Sequence, residues 1–221
     1  MVQELTATVL VIVAGLFPVI NPPAAGLIIM SLVPAATPAQ LAELAWRVTV
    51  NSFAILVASL SVGAYVLSFF GVSIPVLRVA GGVVIASAGW KLLHAPDEKK
   101  GHAEAAAAAD GEAESLGVRA FYPLTLPITV GPGSIAVAIA LATGSPSEGP
   151  RGVHLAAVGT ALLILCASIY ACVRFAASVQ RLLGPVGSEV AMRLFAFILF
   201  CIGVQIFWLG LSDLLGSLRT N

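Results

Sequence analysis

Five stretches of this chain carry no charged side chain: Leu5–Ala42, Val48–Leu77, Ala120–Ser147, Gly152–Val173 and Leu194–Ser212. Each matches or exceeds the roughly 20 residues that a helix needs to cross ~30 Å of hydrocarbon. A soluble domain keeps a charged surface around its core, and about a quarter of its residues are charged. Here the figure is 10% of 221 residues. The 11 basic and 11 acidic side chains cancel, which excludes a basic nucleic-acid-binding surface. Backbone inside lipid must satisfy its own hydrogen bonds. The expectation is therefore an all-α polytopic membrane protein.

Turn signals divide the chain into six spans. The first occupies Leu5–Pro34 and is interrupted at Pro18 and at Asn21-Pro22-Pro23. It has no basic segment before it, so it reads as a retained span rather than a cleaved signal. Thr37-Pro38 predicts the cap and first turn of a second helix that Gly71 closes near Phe70. The third runs from Ser73-Ile74-Pro75 to Leu93. Residues 95–117 are rich in Ala, Asp, Glu and Lys, as expected of a hydrophilic linker. Spans four to six follow at about Val118–Ala142, Gly152–Val179 and Ser188–Gly216. The organisation is thus one membrane domain: a three-helix half at 1–94, the linker at 95–117 and a second half at 118–221. Cys166, Cys172 and Cys201 lie in apolar stretches, and their odd number argues against a disulfide framework.

Basic residues cluster on the linker side. Eight (Arg47, Lys91, Lys99, Lys100, Arg119, Arg174, Arg181, Arg193) face three (Arg78, Arg151, Arg219). The linker is therefore expected in the cytoplasm, with both termini outside the cytoplasmic membrane.

The two halves echo one another. Phe17–Gly26 aligns with Leu126–Ile135 at an offset of 109, placing Pro18 on Pro127 and Pro23 on Pro132. Arg78 and Arg193 each lie about a turn into the third helix of their half, at an offset of 115. Halves with an odd number of spans insert in opposite orientations. Two inverted three-helix repeats, each with a broken first helix, are the expected arrangement, and it is one that transporters use.

The breaks supply the chemistry. Pro22 and Pro23 have no N–H, which frees carbonyls near Pro18, Val19 and Ile20 for a cation or an ammonium group. The restarting helix is expected to offer N–H groups at Ala24, Ala25 and Gly26 to a carboxylate. Gly131-Pro132-Gly133 repeats this arrangement, and Asn21, Thr129 and Ser134 add polar side chains. The expected binding set is Asn21, Pro22, Ala24, Ala25, Gly26, Thr129, Gly131, Gly133 and Ser134. Pro18, Pro23, Pro127 and Pro132 make the breaks, while Arg78 and Arg193 either snorkel or gate. Such a site suits a small zwitterion. It needs no cofactor or metal, only a coupling ion, H+ or Na+. The titratable candidates Glu43, Glu189, Asp213 and His154 all lie near span ends. His94, His102 and His154 occupy the linker or span ends, so no nucleophile and base converge, and an enzyme is not expected. The partners are the substrate and membrane lipid, with oligomerisation left open. The alternatives are a non-transporting scaffold or stress protein, in which the prolines are dry kinks, or an exporter of other small solutes, drugs included.

Ile20-Asn21-Pro22-Pro23-Ala24-Ala25-Gly26 and Tyr122-Pro123-Leu124-Thr125-Leu126-Pro127-Ile128-Thr129-Val130-Gly131-Pro132-Gly133-Ser134-Ile135 resemble the paired signatures of the MarC family of inner-membrane proteins. The resemblance covers essentially the whole chain. One difference is that the family commonly has Asn-Pro-x-Gly, whereas the glycine here is Gly26. The resemblance implies membership of the LysE-like transporter group and transport of small neutral amino acids such as glycine and alanine.

Overall fold

The computed structural model describes residues 2–34, 36–94, 116–144 and 151–219. They form helices α1 (Val2–Ile20), α2 (Pro22–Leu32), α3 (Pro38–Phe69), α4 (Ile74–Leu93), the short α5 (Leu116–Arg119), a wide π-helical segment (Ala120–Thr129), α6 (Pro132–Gly144), α7 (Arg151–Arg174) and α8 (Ala176–Arg219). No strand occurs among the described residues. Five helical stretches are long and apolar enough to span a bilayer, α1 and α2 together making one. The π segment and α6, bent by 65° between them, make a sixth if taken as one span. Most of the expected linker, residues 95–115, lies outside the described residues, as do residues 145–150.

Local chemistry sets the helix ends. Thr37 Oγ1 accepts from the Gln40 N–H and Gln40 Oε1 accepts from the Thr37 N–H, a reciprocal cap, with Pro38 in the first turn. Gly71 closes α3 at φ 67, a left-handed conformation that glycine adopts without a Cβ clash. Two boundaries differ from the expectation. Span five ends at Arg174 rather than Val179, with a basic side chain in its last turn and a new helix from Ala176. That helix breaks at Gly184 (φ 69) ahead of Pro185. The sixth span therefore starts after Gly184, where a proline suits a helix's first turn, and Ala176–Leu183 is a separate helical stretch before it.

The apolar core gathers α1, α2, α3, the π segment, α6 and α7 around Leu16, Ile29, Val48, Leu124 and Leu165, each almost fully buried. α1 and α2 pack on α7, α3 packs on α7 and α6, and α4 packs on α6. The closest pairing joins α4 to α8. A Cβ built on Gly82 would lie 2.7 Å from the Gly203 carbonyl oxygen, one on Gly203 2.7 Å from Ala86 Cα, one on Gly89 2.8 Å from Phe200 Cα, and one on Gly210 2.7 Å from the Val79 nitrogen. Only glycine lets these backbones touch, which is how membrane helices gain contact where burial from water provides no drive.

Candidate functional site between two helix breaks

A tandem repeat builds the second break. Tyr122-Pro123-Leu124-Thr125 is followed by Leu126-Pro127-Ile128-Thr129. Tyr122 and Leu126 have extended backbone (φ −126, ψ 126; φ −105, ψ 125), as expected before proline. The prolines cannot donate to the helix. In compensation, Thr125 Oγ1 donates to the Ala120 carbonyl and Thr129 Oγ1 to the Leu124 carbonyl, both at 2.7 Å. Asn51 on α3 reaches across to Thr125 Oγ1 at 3.5 Å, joining two helices. At the first break, Asn21 itself takes a left-handed conformation (φ 48, ψ 61), and its side-chain oxygen accepts from the Ala24 N–H at 3.4 Å.

A cavity of about 400 Å³ lies between the breaks. The first break contributes Val19, Ile20, Asn21, Ala24 and Ala25. The second contributes Pro127, Thr129, Gly131, Pro132, Gly133 and Ser134. Val84, Ile85, Ala88 and Lys91 of α4 and Leu199 of α8 complete the wall. Seven of the nine expected binding residues are thereby brought together; Pro22 and Gly26 do not line the cavity, nor do Pro18 and Pro23. The cavity extends past Leu32, Lys91, Leu92 and Tyr122, toward the end of the bundle that carries the linker. At the opposite end α6 is seated on three other helices. Built Cβ atoms on Gly15, Gly63 and Gly81 would meet Leu141 Cδ1 at 3.0 Å, Ile139 Cδ1 at 2.7 Å and Ala136 Cβ at 2.7 Å.

The hydrogen bonds change the expected roles of several residues. At the first break no backbone N–H is open. Pro22 and Pro23 have none, the Ala24 N–H goes to Asn21, and the Ala25 N–H donates to the Asn21 carbonyl at 3.0 Å. What remains on the main chain is acceptors, with the side-chain amide of Asn21 as the one donor group beside them: the carbonyls of Pro18 and Val19 would normally bond to the N–H groups that these prolines lack, and that of Ile20 loses Ala24 to Asn21. At the second break the order is reversed. Thr129 and Ser134 spend their protons on the Leu124 and Gly131 carbonyls, so their hydroxyls can only accept. The backbone N–H groups of Gly131, Gly133 and Ser134 meet no described acceptor, as at any uncapped helix start. Gly26 and Gly133 serve packing rather than ligand approach: Cβ atoms there would collide with the Cys172 carbonyl at 2.6 Å and with the Ile85 side chain.

Arg78 and Arg193 lie away from the cavity. Arg78 pairs with Asp213 across α4 and α8 at 2.7 Å, and Arg193 with Glu189 one turn earlier on α8 at 2.6 Å. Glu43 and Arg47 form a third pair at 2.8 Å. Among the described residues the cavity's one charged side chain is Lys91, which sequence reasoning had placed only at a span end. Its spacing from Val84 and Ala88, on one helical face, is the signal that locates it.

Because Asn21 caps α2 from a left-handed conformation, Asn21→Ala removes the cap, at roughly 0.5–2 kcal/mol, and puts a residue without the local side-chain hydrogen bond into that conformation, at about 1 kcal/mol more. The thermal midpoint of the detergent-solubilised protein should fall clearly for Asn21→Ala. It should fall less for Asn21→Gly, which tolerates the backbone conformation; equal losses would contradict this account.

A bundle of bilayer-length helices enclosing a cavity between two interrupted helices defines a polytopic integral membrane protein with an internal cavity. The chain belongs to the MarC family of integral membrane proteins, whose model matches residues 6–215. It is 32% identical over 205 residues to the inner membrane protein MarC of Salmonella paratyphi A, covering 90% of this chain and 92% of that one. It is 34% identical over 172 residues to the MarC protein of Citrobacter koseri, covering 76% and 77%. No solved structure matches it. The family and the apolar spans make it a multi-pass inner-membrane protein.

Proposed function

We propose that this protein is a secondary transporter of small neutral amino acids of glycine or alanine size. The observation that carries the reading is the division of labour in the cavity: backbone acceptors at Val19 and Ile20 face backbone donors at Gly131, Gly133 and Ser134. An ammonium group suits the first set and a carboxylate the second. Ala24, Ala25 and Gly131 leave room for a glycine- or alanine-sized side chain, and no described carboxylate lines the wall to hold a large cation.

Two pairs of contacts support an inverted repeat. Gly82 meets Phe207 as Gly203 meets Ala86, and Gly89 meets Phe200 as Gly210 meets Val79. In each pairing the counterparts lie 121 positions apart, so exchanging the halves exchanges the contacts, as a two-fold axis between α4 and α8 requires. This register matches Arg78 with Leu199 rather than with Arg193. The 12-residue difference from the offset of 109 at the breaks falls between spans four and six, where Ala176–Leu183 is inserted. With the linker in the cytoplasm, the cavity opens inward while α6 closes the outer side. Alternating access then means unseating α6 from Gly15, Gly63 and Gly81 while α2 closes the inner side.

The test is uptake of radiolabelled glycine and alanine into proteoliposomes under an imposed proton or sodium gradient. Saturable uptake above protein-free vesicles is expected, and the effective gradient identifies the coupling ion. No saturable uptake under either gradient would overturn the reading.

A further inference from the structure

On the outer face of the α4–α8 pair lies a second depression, a groove of about 480 Å³. Its floor is formed where Gly82 and Ala86 bring the helices together, and Phe200, Val204 and Phe207 of α8 form one wall. Val83, Trp90 and Val204 are about half exposed, so this face looks toward the bilayer and not into the protein. The groove runs along α4 from Gly82 to Lys91. Nine residues at ~1.5 Å each give roughly 14 Å, close to the ~15 Å half-thickness of the hydrocarbon core.

One end of the groove is unlike the rest. Trp90 stacks on the His94 ring at 3.9 Å between centroids and approaches the Phe200 ring at 5.7 Å. His94 caps α4, its ring nitrogen 3.0 Å from the Trp90 carbonyl. Tryptophan collects at the level of lipid headgroups. Beside it stands Lys91, two residues from the end of α4. Arg47, Arg78 and Arg193 each pair with a carboxylate, but Lys91 pairs with no described one. An apolar channel one leaflet long, ending in an aromatic at headgroup depth and an ammonium that no described carboxylate neutralises, matches the shape and charge of one lipid.

We propose that this groove binds an anionic phospholipid of the linker-side leaflet, one acyl chain lying between α4 and α8 and the phosphate held by Lys91. The assignment is independent of the transport reading, since the groove faces away from the cavity. Lys91 borders both spaces, so the test reads lipid contact and not uptake.

Trp46, Trp90 and Trp208 are the chain's three tryptophans, and Trp46 and Trp208 are well exposed. A full-length Trp46→Phe/Trp208→Phe variant therefore leaves Trp90 as the single reporter. It is reconstituted in mixtures containing phosphatidylglycerol or phosphatidylcholine brominated on the acyl chain. The phosphatidylglycerol should quench Trp90 at a roughly fivefold lower mole fraction, the effect of one lysine on an anionic headgroup. Lys91→Gln should abolish the preference and Lys91→Arg should keep it. Equal quenching by both lipids, or a preference that survives Lys91→Gln, would overturn the proposal. Quenching by neither lipid would also overturn it, because a second protein surface would then cover the groove.

Discussion

Gly203→Ala is expected to be among the most damaging single substitutions in this protein. The added methyl would occupy the space of the Ala86 backbone, with Ala86 Cα at 2.7 Å. A flexible side chain can swing aside, but the backbone of a packed helix cannot, so α4 and α8 must separate along their length. Overpacking of a core costs about 1–3 kcal/mol when neighbours can relax; here the obstacle is main chain, and the upper end is expected. For a chain of this size that lowers the thermal midpoint by roughly 5–10 °C, at 2–4 °C per kcal/mol. Gly159→Ala supplies the comparison, since a Cβ there meets nothing within 4 Å, and its midpoint should not fall. Thermal unfolding in detergent, followed by size-exclusion chromatography, measures both. A Gly203→Ala protein as stable as Gly159→Ala would show that the helix contact does not hold the bundle together.

The second large effect concerns the cavity and should leave the fold intact. Ala24 lines the space beside the first break, and Ala24→Phe places a ring in it. Binding and uptake of glycine should be lost, whereas the thermal midpoint should change little because the ring enters existing empty volume rather than a packed contact. Ala54→Phe, on the exposed face of α3, should leave both properties unchanged. Equilibrium binding of labelled glycine to the purified protein separates the outcomes. Undiminished binding in Ala24→Phe would place the site outside this cavity.

The sequence revealed the spans, because charge-free runs and proline or glycine punctuation act locally. Thr37-Pro38 and Gly71 began and ended α3 as their chemistry requires, and the interruptions at Asn21 and Gly131 stand where the prolines put them. The direction of each hydrogen bond was not legible. Asn21, Thr129 and Ser134 looked like ligand-facing groups because a polar side chain in an apolar span needs a partner, and spacing does not reveal that the partner is the protein's own backbone. Lys91 was hidden for a related reason. Its position near a helix end predicts snorkelling, and only the packing of α4 beside both breaks and against α8 sets it on the border of the cavity and the outer groove. The break at Gly184 falls in the gap left between spans five and six, where a Gly-Pro step is a turn signal, whereas the earlier end of span five at Arg174 was not legible because Phe175–Val179 continue its apolar pattern.

The unlike chemistry of the two breaks has a further consequence. If the halves descend from one ancestral unit, they have not stayed interchangeable: the main chain of one break now presents lone pairs and that of the other presents protons. A dipolar guest has a single favourable heading between them, since turning it end for end would set ammonium against N–H and carboxylate against C=O. In the proposed transporter the cavity would thus act as a compass for its guest. Molecules bearing two like termini, such as diamines or dicarboxylates, would be turned away by one wall or the other, without any clash of size.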